Sequence, residues 1–119
     1  MEISLNDLKE LIAGKDHQTL DNGMIGKFVI VRCRDAGVHA GVLVAHNGRE
    51  CVLKDSRRLW YWKPANGAAF LSGVAVDGLH GDSKVGKPVP TLHLTENCEI
   101  IECSTEAAAS IKAQPNHNE

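Results

Sequence analysis

Arg57, Arg58, Trp60, Tyr61 and Trp62 stand within six consecutive residues, and three of the chain's five aromatic side chains lie in that run. On an extended backbone Arg58, Trp60 and Trp62 share one face, while Arg57, Leu59 and Tyr61 share the other. Either face pairs a guanidinium with an aromatic plane. That pairing suits a nucleotide, because a ring stacks a base and a guanidinium grips phosphate oxygens in a bidentate fork. The same residues also suit a core strand, since tryptophans are large apolar side chains that a small sheet readily buries. The run alone leaves both uses open.

A second group lies upstream. Arg32 and Arg34 lead into Asp35-Ala36-Gly37, which reads as a hairpin tip whose exposed amides can bind anionic oxygen. His39 and Gly41 follow on one face, and the missing side chain at Gly41 permits close backbone approach by a ligand. Taken singly, such charges are usually solvated and such a glycine usually marks a bend. Their occurrence together with Arg57 and Arg58 favours an anion site.

Other chemistries find less support. The chain contains no G-x-G-x-x-G, no G-x-x-x-x-G-K-[ST] and no G-x-S-x-G, so the usual dinucleotide, triphosphate and nucleophile-elbow motifs are absent. Asp55 and Glu96 read as turn or cap residues, and binding without turnover is expected in place of an enzyme. The six histidines are scattered, with no i, i+4 pair and no H-E-x-x-H, and the four cysteines form no C-x-x-C. Neither a metal site nor a cofactor is expected. Cys33, Cys51, Cys98 and Cys103 sit in or beside apolar runs and are expected as free thiols. Across 119 residues, 13 Lys+Arg stand against 15 Asp+Glu, a net charge of -2 that argues against coating duplex nucleic acid. No export signal is recognised and no run approaches the roughly 18 apolar residues of a membrane span, so a cytoplasmic protein is expected.

These side chains must be positioned by one domain, and the pattern predicts an α+β fold. Ser4 and Asp7 resemble a capping box, and Leu5, Leu8, Leu11 and Ile12 recur at helical spacing, predicting an N-terminal helix over 1–14. Its apolar stripe needs a partner, either the sheet or another copy of the chain. From residue 27 the pattern changes to strands at 28–34, 38–45, 50–54 and 58–62, with Asn47-Gly48 as the strongest hairpin signal. Residues 70–76 suit a short helix, 78–90 a loop, and 91–95 and 98–102 two last strands. Ser104 then caps a C-terminal helix. The expected architecture is a small curved antiparallel sheet or partly open barrel with an N-terminal and a C-terminal helix. Residues 15–113 form the ligand-binding domain, and 114–119 are expected to be a disordered tail.

The segments Phe28-Val29-Ile30-Val31-Arg32, Ala36-Gly37-Val38-His39-Ala40-Gly41, Arg57-Arg58-Leu59-Trp60-Tyr61-Trp62, Phe70-Leu71-Ser72, and Leu94-Thr95-Glu96 with Ile100-Ile101 resemble a family of small bacteriophage proteins. That family includes the anti-Thoeris sponge proteins, which sequester a cyclic ADP-ribose signal. The resemblance spans 26–112, with departures at Cys33-Arg34-Asp35 and Asp55-Ser56 that bear on ligand preference. It implies a protein of the infected host's cytoplasm that holds glyco-cyclic ADP-ribose intact and keeps a downstream effector off. Cyclic di- or trinucleotides at a separate site of a higher oligomer, a dimer up to a hexamer, are also implied. On that reading Arg34, Arg57 and Arg58 supply charge, Trp60 or Tyr61 stacks on adenine, and the backbone from Gly37 through His39 to Gly41 meets phosphate. Glu96 or Asn97 then binds ribose hydroxyls. The alternatives are a single-stranded nucleic-acid-binding accessory module and a structural phage protein.

Overall fold

Runs of β-branched residues alternate inward and outward along most of the chain, and in the computed structural model they pair as six antiparallel strands. The structure describes residues 23–65, 67 and 70–117. The strands are β1 (Phe28–Cys33), β2 (Gly37–Asn47), β3 (Glu50–Tyr61), β4 (Lys84–Val85), β5 (Val89–Leu94) and β6 (Asn97–Glu102). Two helices, α1 (Leu71–Asp77) and α2 (Thr105–Ala113), complete the fold. The sheet runs β4-β3-β2-β1-β6, and β5 pairs with the first half of β3, beside β4 on the second half. No ladder joins β5 to β6, so the curved sheet is not closed into a barrel. The α+β class and the antiparallel sheet with its C-terminal helix agree with the sequence pattern. The helix expected over 1–14 lies outside the described residues.

Period-2 alternation in β1 sends its side chains into two cores. Val29, Val31 and Cys33 join Leu43, Cys51, Leu53 and Leu94 on one side of the sheet. Ile30 meets Ala40, Leu59, Val85 and the helix residues Leu71, Val74, Ala75 and Ile111 on the other. Each fully buried aliphatic side chain contributes about 1.5–3 kcal/mol. Ser104 caps α2, its hydroxyl accepting from the Ala107 amide at 3.0 Å while donating to the Val76 carbonyl at 2.7 Å.

Three local expectations are corrected. First, β2 and β3 pair through Asn47↔Glu50, so the hairpin loop is Gly48-Arg49, with Gly48 at φ 60° and Asn47 inside the ladder. A glycine at the first loop position meets the positive φ that such a turn demands. Second, the strands expected at 50–54 and 58–62 are one continuous strand. Asp55, at φ 53°, lies in a bulge where the β2–β3 register shifts between Ala40 and Val42. Gly41 lies across that bulge: a Cβ there would stand 2.9 Å from the Lys54 carbonyl oxygen and 3.0 Å from Ser56 Cα. Third, the tail expected to be disordered is docked through residue 117. The His117 amide donates to the Val85 carbonyl at 2.8 Å, Asn116 bridges Val85 in parallel, and Gln114 Nε2 donates to the Ser83 carbonyl at 3.0 Å. Residues 118 and 119 lie outside the described residues.

Candidate functional site

Adjacent arginines on a strand point to opposite faces, and β3 uses that alternation to separate Arg57 from Arg58. Arg57 is only 4% exposed. Its Nε donates to the Gly86 carbonyl at 2.8 Å, its Nη1 to the carbonyls of Ile111 and Gln114 at 2.8 and 2.7 Å, and its Nη2 to Asn116 Oδ1 at 2.9 Å. The guanidinium thus satisfies carbonyls at the C-terminal end of α2, where the helix carries partial negative charge. Burial lowers its pKa from the ordinary arginine value. Arg57, expected to supply charge to a ligand, joins the sheet to α2 and the tail through these bonds.

Arg58 faces outward. Its guanidinium lies against the backbone of Gly37, where a Cβ would meet Nη2 at 3.0 Å and where φ is 88°. Both facts call for glycine at that position. His39 is directly opposite Arg58 in the β2–β3 ladder, and its Nε2 pairs with the Ala36 carbonyl at 2.8 Å. Burial lowers the His39 pKa and the nearby Arg58 charge adds to this, while the Ala36 bond opposes it. Among the described residues, the Arg58 guanidinium has no hydrogen-bond or carboxylate partner.

Trp60 is 57% exposed, two residues along the same face. The His117 imidazole stacks on it with ring centroids 5.5 Å apart and planes 12° from parallel, and Lys84 Nζ lies 5.3 Å from the indole centroid. Arg58, Trp60, Gly86 and His117 enclose a cleft of about 190 Å³. Gly37, His39, Arg58 and Trp60 are therefore brought together. The cleft is cationic through Arg58 and Lys84, and Lys84 has no acidic partner among the described residues.

The other expected site residues lie elsewhere. Tyr61 pairs with Lys84 across β3 and β4 and is 48% exposed. Trp62, expected on the Arg58 face, packs instead against the helix-side core, because a register shift between Leu59 and Tyr61 breaks the alternation. Gly41 accommodates the β3 bulge. Arg34 and Glu96 meet only through backbone, the Arg34 amide donating to the Glu96 carbonyl at 3.1 Å. Beside them is a separate cleft of about 220 Å³ lined by Cys33, Asp35, Ala36, Thr95 and Glu96. Asn97 is buried, and its Nδ2 has no hydrogen-bond partner.

Three residues at the Trp60 cleft were not among the expected site residues: Gly86 and His117 in its lining, and Lys84 beside the indole. Lys84 and Gly86 fall in a stretch whose glycines, prolines and charges read as loop, and His117 falls in the polar tail. Their only sequence signal was the cationic character of Lys84-Val85-Gly86-Lys87. Among the described residues no group of three or more His, Cys, Asp or Glu could hold a metal ion, and the four thiols are unbonded. No described helix is long and apolar enough to cross a membrane.

No curated protein and no solved structure matches the chain. Residues 26–111 match a domain of unknown function, DUF6948, which begins just before β1 and takes in Arg58, Trp60 and Gly86 but leaves His117 outside. On that match, which covers most of its length, the chain belongs to the DUF6948 family.

Proposed function

We propose that the cleft of Arg58, Trp60, Gly86 and His117 binds a small planar anion of the nucleotide class and that the protein holds this ligand without turnover. The observation that carries the reading is an unpaired guanidinium beside an exposed indole on which a flat ring is already stacked. The imidazole of His117 occupies the position a base would take, so an entering base replaces it on Trp60. Arg58 and Lys84 then meet phosphate oxygens, and the Gly37 backbone lines the approach. A cyclic ADP-ribose isomer sequestered from a signalling effector is the ligand and the use that the family resemblance favours.

Magnitudes constrain this reading. A base stack contributes roughly 1–3 kcal/mol, and a charge-assisted bond about 1.5–3 kcal/mol. One stack and two cations fall short of the ~12 kcal/mol that nanomolar capture requires. A cleft of about 190 Å³ also holds little more than one base. Two clefts from two subunits facing one ligand would meet both demands, so the functional unit is proposed to be a homodimer or a larger ring.

Calorimetric titration of the purified chain with cyclic ADP-ribose isomers and cyclic dinucleotides, followed by recovery of ligand after heat denaturation, tests the reading. Intact recovered ligand is the expected result, and converted ligand would mean an enzyme. Absence of binding at micromolar concentration rejects the proposal. Oligonucleotide binding with steep salt dependence would instead favour the accessory nucleic-acid module. Light scattering with and without ligand reads the subunit number, and a monomer in both states would remove the shared-site argument.

A further inference from the structure

The opposite face of β3 carries a second cavity, of about 420 Å³, lined by Phe28, Val42, Asp55, Arg57, Pro88 and Lys112. It is larger than the Trp60 cleft and falls within the range of small-molecule pockets, which combine apolar walls with a few convergent polar groups. Phe28, Val42 and Pro88 supply apolar surface. Lys112 Nζ lies 5.2 Å from the Phe28 ring centroid and has no carboxylate partner among the described residues.

Two further observations give the cavity a charge preference. The acceptors of Arg57 are all neutral: the backbone carbonyls of Gly86, Ile111, Gln114 and, at 3.3 Å, Lys112, and the side-chain amide of Asn116. A guanidinium has five N–H bonds, and these acceptors engage Nε, both hydrogens of Nη1 and one of Nη2, leaving one Nη2 hydrogen over. The C-terminal end of α2 offsets only part of the full positive charge. Asp55 contributes the single acidic group to the lining, and its carboxylate makes no hydrogen bond or ion pair with any described residue. Its backbone at φ 53° is held by the bulge opposite Gly41.

We infer that this cavity is a second ligand site, for a small organic monoanion with a flat apolar body, such as an aromatic carboxylate or sulfonate. The body lies on Phe28, Val42 and Pro88, and the anionic group meets Lys112 and the remaining Arg57 N–H. Asp55 sets the charge limit. Two cations against one carboxylate favour one negative charge, whereas a phosphomonoester dianion would bring excess charge against Asp55. The site therefore differs in chemistry from the Trp60 cleft and stands whether or not that cleft binds nucleotides.

The probe is 1-anilinonaphthalene-8-sulfonate, an aromatic monoanion whose fluorescence rises in apolar surroundings, titrated into the folded full-length chain. Saturable one-to-one binding is expected. Lys112→Glu weakens it by about tenfold or more, as loss of one charge-assisted contact requires. Asp55→Asn strengthens it by roughly threefold or more through removal of the like charge, and asparagine tolerates the left-handed backbone. Trp60→Ala leaves the titration as it was, and phenyl phosphate displaces the probe less well than benzenesulfonate. Failure of the probe to bind, indifference to both Lys112→Glu and Asp55→Asn, or loss of binding in Trp60→Ala overturns the inference. Melting temperatures near that of the unsubstituted chain establish that each variant is folded.

Discussion

Arg57 places its donors on carbonyls 29 to 57 residues away, while Arg58 leaves its donors in solvent beside a glycine. Removing the first strands the last carbonyls of α2 and the Asn116 amide in a site that water reaches poorly. Arg57→Ala should therefore cost about 3 kcal/mol or more of folding stability, measured by urea denaturation. Arg58→Ala should leave the urea midpoint within error and weaken nucleotide capture by about tenfold or more, read by calorimetry. A stability loss at Arg58 together with an unaffected fold in Arg57→Ala would reverse these assignments. That a guanidinium and an aromatic plane would share a strand face was legible in the run itself, because alternation along a strand is a local property. Which arginine belonged to the face that stays exposed was not legible. It depends on where α2 ends, and α2 lies some fifty residues further along the chain.

At the scale of elements, β3 shows how one position without a side chain shapes its neighbours. The bulge at Asp55 brings Lys54 carbonyl and Ser56 backbone onto Gly41, and a methyl group there would stand 2.9 Å from that carbonyl oxygen. Both obstacles are backbone atoms, which cannot rotate away. Gly41→Ala is expected to destabilise the protein by about 1–3 kcal/mol, detected as a lowered melting temperature with the far-ultraviolet spectrum retained. An unchanged melting temperature would mean that the bulge relaxes freely. The sequence suggested close approach of a ligand at Gly41, or a bend. The neighbour is instead β3, which no local pattern announces because the register depends on ladder bonds. The split of β3 into two expected strands has the same origin. Asp55-Ser56 reads as a break, yet pairing with β2 and then with β5 and β4 carries the strand across it.

For the whole molecule, the two cores place titratable groups away from water, and stability follows their ionisation at both ends of the pH scale. Burial pushes the Cys103 thiol up to about 12, with Glu102 adding to the rise, and the Cys51 thiol up to about 11, with Cys33 adding to it. In the unfolded chain these thiols ionise near their ordinary value of 9.0. The folded state holds the protons longer, so the stabilisation is complete below pH 9 and is lost as pH rises through the folded values. His39 acts in the opposite direction: its pKa is lowered below 6.5 by burial, the folded state favours the neutral ring, and stability falls as pH drops below 6.5. Urea midpoints measured from pH 4 to 11 should therefore form a plateau between these limits. His39→Gln should flatten the acid limb and Cys103→Ala the alkaline one. A profile insensitive to both substitutions would place the responsible groups elsewhere.

The linear chain by itself determined the elements that rest on neighbours: the alternation of β1, the hairpins near residues 35 and 48, the cap at Ser104 and the sharing of one strand face by an indole and a guanidinium. These follow from steric and hydrogen-bond rules acting over a few residues. The tertiary structure alone decided that Arg57 closes α2, that residues 114–117 dock along β4, and that His117 lies on Trp60. It also placed Lys112 of α2 over Phe28 of β1, in the lining of a cavity that no local pattern announces. Each of these contacts joins residues far apart in the chain. Their energies depend on packing and charge that exist only once the sheet has curved and the two helices have settled on it.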